Sequence, residues 1–157
     1  MTVKVRPMNI SDIDGVYAIE VVGHRTPWSR NILHDCVMVH YDCFVIEVVS
    51  KNEVVLAGYM ISRIQEKSSH VLNVCIAPAL QGKGYGQVLL KNRLDSMTSA
   101  AIETVLLEVR PSNSIALHIY QKMGFQPTGT KRGYYRDGES VEDAIVLQKK
   151  LIIEPME

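Results

Sequence analysis

The chain has 157 residues, which is enough for one domain with a complete hydrophobic core. Its 17 basic and 17 acidic side chains cancel, so there is no electrostatic case for sequence-independent binding to nucleic acid. No apolar stretch approaches the length of a membrane helix, and the N-terminus lacks the apolar region of a signal peptide. Three cysteines without metal-ligand spacing favour a reduced, cytoplasmic protein without disulfides or metal. We expect a single domain over residues 1–157.

Hydrophobic periodicity and breaker residues divide the chain into alternating strands and helices. In chain order, the pattern predicts a strand at 3–6, a helix at 13–21, a helix from the cap Ser29 to Val37, strands at 44–49, 54–63 and 71–77, a helix at 84–98, a strand at 104–109, a helix from a cap at Ser112 or Asn113 to Met123, and strands at 125–130 and 141–151. This order predicts an α/β (α+β) chain with about four helices. Its sheet would be mixed, mostly antiparallel and of about seven strands, with one parallel βαβ unit.

The segment from Asn73 to Gly86 combines an apolar strand, a glycine-rich loop and the start of a helix. Gly82, Gly84 and Gly86 carry no side chains there, so backbone N–H groups are exposed beside the positive end of a helix dipole, a geometry that binds phosphate or pyrophosphate. The spacing Gly-x-Gly-x-Gly in mid-chain does not fit a dinucleotide fingerprint. Lys83 is followed by Gly84, whereas a nucleoside-triphosphate loop needs Ser or Thr there.

A second pattern, Asn-x-x-Ala-x-x-x-Tyr-x-x-x-Gly-Phe, runs from Asn113 to Phe125. Together with the loop Gln81-Gly82-Lys83-Gly84-Tyr85-Gly86, it resembles the two signatures of the GNAT acetyltransferases. Four more segments support the resemblance: Pro27-Trp28-Ser29, Leu107-Glu108-Val109-Arg110 with Ser112-Asn113, Arg132-Gly133-Tyr134-Tyr135 and Glu142-Asp143-Ala144-Ile145. The resemblance covers nearly the whole chain and implies the GNAT acyl-CoA N-acyltransferase fold.

The resemblance also implies acetyl-CoA as a co-substrate and no metal. The strand before the loop would offer its backbone to the pantetheine amides, and the loop would hold the pyrophosphate. The coenzyme-binding residues implied are Val74, Cys75, Ile76, Gly82, Lys83, Gly84, Tyr85, Gly86, Gln87 and Asn113. Lys83 is either close to phosphate or merely solvated. Asn113 is a helix cap, a coenzyme ligand or both.

Transfer of an acetyl group to an amine requires a base, because an α-amine has a pKa near 8 and is mostly protonated at neutral pH. Glu108 interrupts the apolar strand at 104–109, and burial there is expected to raise its pKa and make it a better base. The alternative is a structural ion pair with Arg110 or Lys131. Tyr120 is the candidate acid for the CoA thiolate, with an amphipathic core tyrosine as the alternative. A cysteine nucleophile at Cys75 is disfavoured, because no base is evident beside it.

Within the family, the similarity is greatest to enzymes that acetylate the N-termini of ribosomal proteins. It implies transfer to the N-terminal α-amine of a protein, with the N-terminal peptide of a ribosomal protein that starts with alanine as partner. Trp28, Tyr134 and Tyr135 are the candidates for contacting that peptide, although Trp28 is equally a candidate core anchor. Gly133 and Ala77 depart from the family pattern, which affects peptide preference. The histidines are scattered and show no metal-site spacing.

Two alternatives remain open from the sequence. The same fold could acetylate a lysine side chain or a small amine, or the chain could be a non-catalytic acyl-CoA-binding module. We expect a monomer or weak dimer that binds no nucleic acid and no membrane.

Overall fold

The computed structural model describes residues 2–151, which form four α-helices and seven strands. The elements are β1 (Thr2–Pro7), α1 (Ile13–Gly23), α2 (Arg30–Met38), β2 (Asp42–Ser50), β3 (Glu53–Gln65), β4 (Ser68–Ile76), α3 (Tyr85–Ser99), β5 (Thr104–Val109), α4 (Ser114–Lys122), β6 (Gln126–Asp137) and β7 (Ser140–Lys150), with short 3-10 turns at Ile10–Asp12 and Pro78–Leu80. The strand order is β1-β2-β3-β4-β5-β7-β6. The β4–β5 pair is parallel, whereas the β1–β2, β2–β3, β5–β7 and β6–β7 pairs are antiparallel. The predicted fold class is confirmed.

The described residues group into two compact units, one of residues 2–63 and 72–93 and the other of residues 64–71 and 94–151. The chain passes between the units within β3, β4 and α3. Between residues 2 and 151, no helix is both long and apolar enough to span a membrane. The expectation of one domain over residues 1–157 stays a prediction, and it includes residues 1 and 152–157, which lie outside the described part of the chain.

The core of the first unit forms where α1 and α2 bury their apolar faces with residues of β2, β3 and β4. Helix α1 contributes Ile13 and Val16, which are three residues apart and therefore share one helical face. The other buried members of this cluster are Met8, Ile19, Leu33, Cys36, Cys43, Val45, Tyr59, Ile61 and Cys75. Burial of apolar surface on this scale is the main stabilising contribution to such a unit.

The second unit is built around β5, whose side chains alternate between its two faces. Val105, Leu107 and Val109 are buried, as the period of two residues in a strand requires. Other buried apolar residues of this unit are Val71, Leu94, Met97, Ile102, Phe125, Ala144 and Leu147. Glu108 lies between two of the buried positions of β5 and therefore belongs to the opposite face of the strand.

Strands β4 and β6 each extend at one end at least three residues beyond the range predicted from the sequence. Strand β4 begins at Ser68 rather than at residue 71, because residues 68–71 pair with residues 104–107 of β5. Strand β6 continues to Asp137 rather than ending at residue 130, because it pairs again with β7 after an irregular segment at residues 132–134. Polar residues at the start of β4 and the irregularity in β6 hide both extensions from a pattern based on apolar residues.

Asp12 is held by Arg6, whose Nη1 and Nη2 atoms each donate to it over 2.8 Å. The hydrogen bonds from Arg6 lower the pKa of Asp12. The carboxylate therefore stabilises the fold above its unfolded pKa of about 3.9, and this contribution is lost as pH falls through the lower pKa of the folded protein.

We expect Asp12→Asn to reduce the free energy of unfolding by about 1–2 kcal/mol at neutral pH, because a charged hydrogen bond is replaced by a weaker one. Urea unfolding of the wild type and of Asp12→Asn at several pH values checks this. The difference between their free energies of unfolding should shrink below about pH 4. Asp35→Asn is the control, because the Asp35 side chain is exposed on α2. A difference that stays constant down to about pH 3 would contradict the assignment.

Candidate active site

The glycine-rich loop leads into α3 in the first unit. Gly82 and Gly84 have φ values of 79° and 85°, in the left-handed region that side chains rarely adopt. A Cβ atom at either position would meet no atom within 4 Å, so open space lies beside this backbone. The carbonyl of Gly84 accepts from the amide of Val88 over 3.1 Å, and the helix begins there. The first amides of α3 have no acceptor inside the helix, which makes them available to an anion.

The end of β4 carries the three residues predicted to face the pantetheine. Val74 and Ile76 are half-buried and Cys75 is buried. The side-chain amide of Gln81 donates to the carbonyl of Ile76 over 3.1 Å and links the loop to the strand. Burial, with a smaller effect from Glu20, raises the pKa of the Cys75 thiol to about 11. A thiol in that state is a poor nucleophile at neutral pH, in agreement with the sequence analysis.

Glu20 is a buried carboxylate at the centre of a hydrogen-bond network in the first unit. Its Oε1 accepts a short hydrogen bond from the Tyr59 hydroxyl and one of 2.6 Å from the Asn73 amide. Its Oε2 accepts from the backbone amide of Trp28 over 2.9 Å. His24 Nε2 lies 2.9 Å from the Asn73 side-chain oxygen. Burial, followed by the hydrogen bond to Glu20, raises the pKa of Tyr59. The network joins α1, the following loop, β3 and β4.

Trp28 packs against the core of the first unit. This position fits the core-anchor interpretation, and its backbone amide is tied to Glu20. Contact between Trp28 and an acceptor peptide stays a prediction.

Glu108 lies on β5 in the second unit, and its side chain is only 4 % exposed. His70 Nε2, on the neighbouring strand β4, lies 2.6 Å from Oε2 and 2.8 Å from Oε1 of Glu108. Lys131 Nζ, on β6, donates to Oε1 over 3.0 Å. The carboxylate is thus enclosed by two basic side chains from two other strands.

The expectation that the pKa of Glu108 is raised is wrong. Burial does act to raise it, but the hydrogen bonds and charges of His70 and Lys131 outweigh burial and lower the pKa below its ordinary value. Glu108 is therefore ionised at neutral pH. Its partner Lys131 was one of the two expected from the sequence, whereas Arg110 pairs with Asp137 and Glu142 instead.

Tyr134 and Tyr135 lie where β6 departs from regular pairing with β7. Gly133, at a φ of 61°, permits this departure, and its amide donates to Asp143 over 2.8 Å. The ring of Tyr134 is exposed, and Lys131 Nζ lies 5.2 Å from its centroid. Burial and then the charge of Glu108 raise the pKa of Tyr134, so this phenol lies near the carboxylate.

Tyr135 contacts Tyr134 edge-on, with 4.9 Å between ring centroids, and the Arg110 guanidinium lies 4.1 Å from the ring of Tyr135. The structure therefore brings Tyr134 to Glu108 and gives Tyr135 a packing role beside Arg110. Burial, followed by the charge of Tyr134, raises the pKa of Tyr135 to about 12.

Asn113 and Tyr120 belong to α4 and its start. The side chain of Asn113 accepts from the amide of Ala116 over 3.2 Å, so the predicted helix cap is present. Tyr120 is half-buried and packs edge-on against Phe125, with 5.8 Å between ring centroids. That contact fits an amphipathic core tyrosine, and the roles of Tyr120 as acid and Asn113 as coenzyme ligand stay predictions.

Sequence reasoning missed two residues, Glu20 and His70. Glu20 had a signal, because it follows Ile13 and Val16 at helical spacing and so continues the apolar face of α1. His70 had none, because its contact with Glu108 depends on the register of two parallel strands. Within residues 2–151, no group of three or more His, Cys, Asp or Glu side chains could hold a metal ion.

The sequence profile of the acetyltransferase (GNAT) family matches residues 10–125. The chain belongs to this family. The predicted resemblance is confirmed, and the chain is a GNAT N-acetyltransferase, as expected for the enzyme class.

Relatives of this GNAT acetyltransferase include the ribosomal protein bS18-alanine N-acetyltransferase of Escherichia coli K12. The two are 28 % identical over 140 residues, covering 89 % of this chain and 92 % of the relative. A Bacillus subtilis strain 168 protein, provisionally given the same name, is 31 % identical over 144 residues, covering 91 % and 92 %. The crystal structure of the ribosomal-protein-S18-alanine N-acetyltransferase from Escherichia coli superposes with a TM-score of 0.88 at 25 % identity, covering 98 % of this chain and 97 % of the other.

Proposed function

We propose that this GNAT acetyltransferase transfers the acetyl group of acetyl-CoA to the N-terminal α-amine of a protein, and that its acceptor is a ribosomal protein that starts with alanine. The observation that carries the catalytic part is the ionised carboxylate of Glu108 beside the exposed ring of Tyr134. The acceptor is supported by the names of the Escherichia coli and Bacillus subtilis relatives, which align over about nine tenths of the chain. Such a reaction belongs in the cytoplasm, and we propose that a single domain, as a monomer or weak dimer, performs it.

Acetyl-CoA would bind mainly to backbone atoms. Open space beside Gly82 and Gly84, together with the free amides at the start of α3, fits a pyrophosphate. Lys83 is exposed in the same loop and would add a positive charge near the phosphates. The remaining residues assigned to the coenzyme are Val74, Cys75, Ile76, Tyr85, Gly86, Gln87 and Asn113.

Glu108 would take the proton of the acceptor amine. The amine attacks the thioester in its neutral form, and its nitrogen becomes positively charged as the new N–C bond forms, so an N–H proton of the adduct is then far more acidic. Glu108 is ionised and its carboxylate is fixed in place by His70 and Lys131, so it is available to accept that proton. Tyr120 would give a proton to the departing CoA thiolate. No covalent enzyme intermediate is needed, consistent with the protonated thiol of Cys75.

The acceptor peptide would contact Tyr134 first, because this ring is exposed and lies near Glu108. Tyr135 would hold the ring of Tyr134 in place, since the two rings pack edge-on. Trp28 is assigned to the acceptor as well, held in place by its contacts with the core and with Glu20.

The proposed acceptor is tested with two short peptides that differ only at the N-terminus and at one internal position. One starts with a free alanine and contains no lysine, and the other is blocked at its N-terminus and carries one lysine. We expect CoA release with the first peptide only. Release with the blocked peptide alone would assign a lysine side chain as the acceptor and overturn the proposal. Release with neither peptide, but with small amines, would overturn it as well.

The glycine loop provides a prediction for coenzyme binding. Gly84→Ala would place a methyl group in the left-handed region, at a cost of about 1–2 kcal/mol, and in the open space assigned to the pyrophosphate. We expect the KM for acetyl-CoA to rise by about tenfold, which corresponds to about 1.4 kcal/mol. Steady-state kinetics with varied acetyl-CoA check this. Gly129→Ala is the control, because a Cβ atom there also meets nothing within 4 Å. Equal KM values for the two variants would remove the loop from the coenzyme site.

A further inference from the structure

His70 makes a close contact with Glu108, the proposed base, and the proposed function gives His70 no role. Its Nε2 atom lies within hydrogen-bond distance of both carboxylate oxygens of Glu108, and the Glu108 side chain is almost completely buried. The imidazole itself is 33 % exposed and can exchange protons with water. The last paired residues of β4 and β5 before Glu108 are Val71 and Leu107, so the shared register of these strands sets the contact.

The other charged and titratable groups described near Glu108 lie on β5 and β6. Lys131, from β6, donates to Oε1, and Tyr134 from the same strand presents its phenol nearby. Tyr135 is farther along β6 beside Arg110. On β5 itself, Arg110 is engaged by Asp137 and Glu142. From β7, the residue paired with Glu108 is the apolar Val146.

Among these groups, only histidine ordinarily changes its charge near neutral pH. Lysine stays positive and tyrosine stays neutral over that range. The charge facing Glu108 therefore differs between the two states of His70. With a protonated imidazole, the carboxylate lies between two cations and resists taking a further proton. With a neutral imidazole, one N–H still fixes its orientation, but one of the two opposing charges is gone.

We propose that His70 is a positioning residue for the proposed acetyl transfer: as a neutral imidazole it orients Glu108 to take the proton of the acceptor amine, and as an imidazolium it prevents Glu108 from taking it. This inference rests on the proposed function of Glu108 and adds a second group to it. Productive turnover then requires two deprotonated groups, the acceptor amine and His70.

The test compares the pH dependence of kcat for the wild-type protein and His70→Gln, using the alanine-starting peptide and saturating acetyl-CoA. The amine alone makes kcat fall by about one decade per pH unit on the acid side, and a second required group raises this to about two. We expect the steeper decline in the wild type and the shallower one in His70→Gln. At about pH 8.5, kcat of His70→Gln should be about tenfold lower than kcat of the wild type, because the variant lacks the imidazole that orients Glu108. The KM for the peptide should change little.

Two control variants separate this role from a structural one. His118→Gln removes an exposed histidine of α4 in the same unit and should keep the wild-type decline. Lys131→Met removes the cation that does not titrate in this range and should also keep the steeper decline. A decline of equal steepness in the wild type and in His70→Gln would overturn the inference, even if alanine acetylation were established.

A second measurement does not depend on turnover. Glutamate side chains labelled with ¹³C report the titration of Glu108, whose signal is the one lost in Glu108→Gln. The pKa of Glu108 should lie below its ordinary value in the wild type and rise in His70→Gln. An unchanged Glu108 titration in His70→Gln would overturn the inference. If no peptide is acetylated, the proposed function fails, and this titration still decides whether His70 controls the charge of Glu108.

Discussion

Replacement of Glu108 by glutamine should lower kcat for acetyl transfer to an alanine-starting peptide by about 10²–10⁴-fold, the usual contribution of a general base. Glutamine has nearly the same shape and can still accept from Lys131, but it cannot take a proton from the amine. The KM for acetyl-CoA should change little, because Glu108 is not among the residues proposed to bind the coenzyme. Steady-state kinetics with circular dichroism as a folding check provide the measurement.

Glu103→Gln is the matched control for Glu108→Gln. Glu103 precedes the same strand, and its exposed side chain pairs with Lys67 over 3.5 Å. An exposed pair of this kind contributes little, so this variant should behave like the wild type. Comparable kcat values for Glu108→Gln and Glu103→Gln in folded proteins would remove Glu108 from the catalytic step.

The largest expected loss of stability comes from Glu20→Ala. The change leaves three donors without their acceptor, namely the Tyr59 hydroxyl, the Asn73 amide and the backbone amide of Trp28. A buried donor without a partner costs about 1–3 kcal/mol. We expect the free energy of unfolding to fall by about 3–5 kcal/mol, as when a buried polar partner is removed. Urea unfolding followed by circular dichroism measures it.

Asp14→Ala in the same helix is the control for Glu20→Ala. The side chain of Asp14 is 85 % exposed, and its pair with Arg30 lies in solvent. A surface substitution of this kind changes the free energy of unfolding by less than about 0.5 kcal/mol. If the two variants lost similar amounts of stability, Glu20 would not be the centre of a buried network.

Local patterns were sufficient for most of the fold. The loop from Gln81 to Gly86, the cap at Asn113 and the alternation in β5 depend on residues close together in the chain, so the sequence revealed them. The irregular pairing of β6 around Gly133 depends on the partner strand β7, and the predicted strand therefore stopped too early. Backbone pairing with a distant strand leaves little trace in local composition.

The environment of Glu108 was the main part of the candidate site that the sequence could not supply. The residue was identified from a charge interrupting an apolar strand, but its partners His70 and Lys131 are 38 and 23 residues away in the chain. Burial alone predicts a raised pKa, and only the positions of these two partners reverse the direction. Long-range contacts thus decide the charge of the proposed base, whereas local sequence decides where it lies on the strand.

The most direct test of the proposed function is the position of the acetyl group on one peptide that offers both kinds of amine. The peptide starts with a free alanine and carries an internal lysine, and the product formed with acetyl-CoA is analysed by fragmentation mass spectrometry. We expect the added acetyl group on the alanine nitrogen, with the lysine unmodified. An acetyl group on the lysine side chain, with the N-terminus free, would contradict N-terminal acetylation as the activity of this chain.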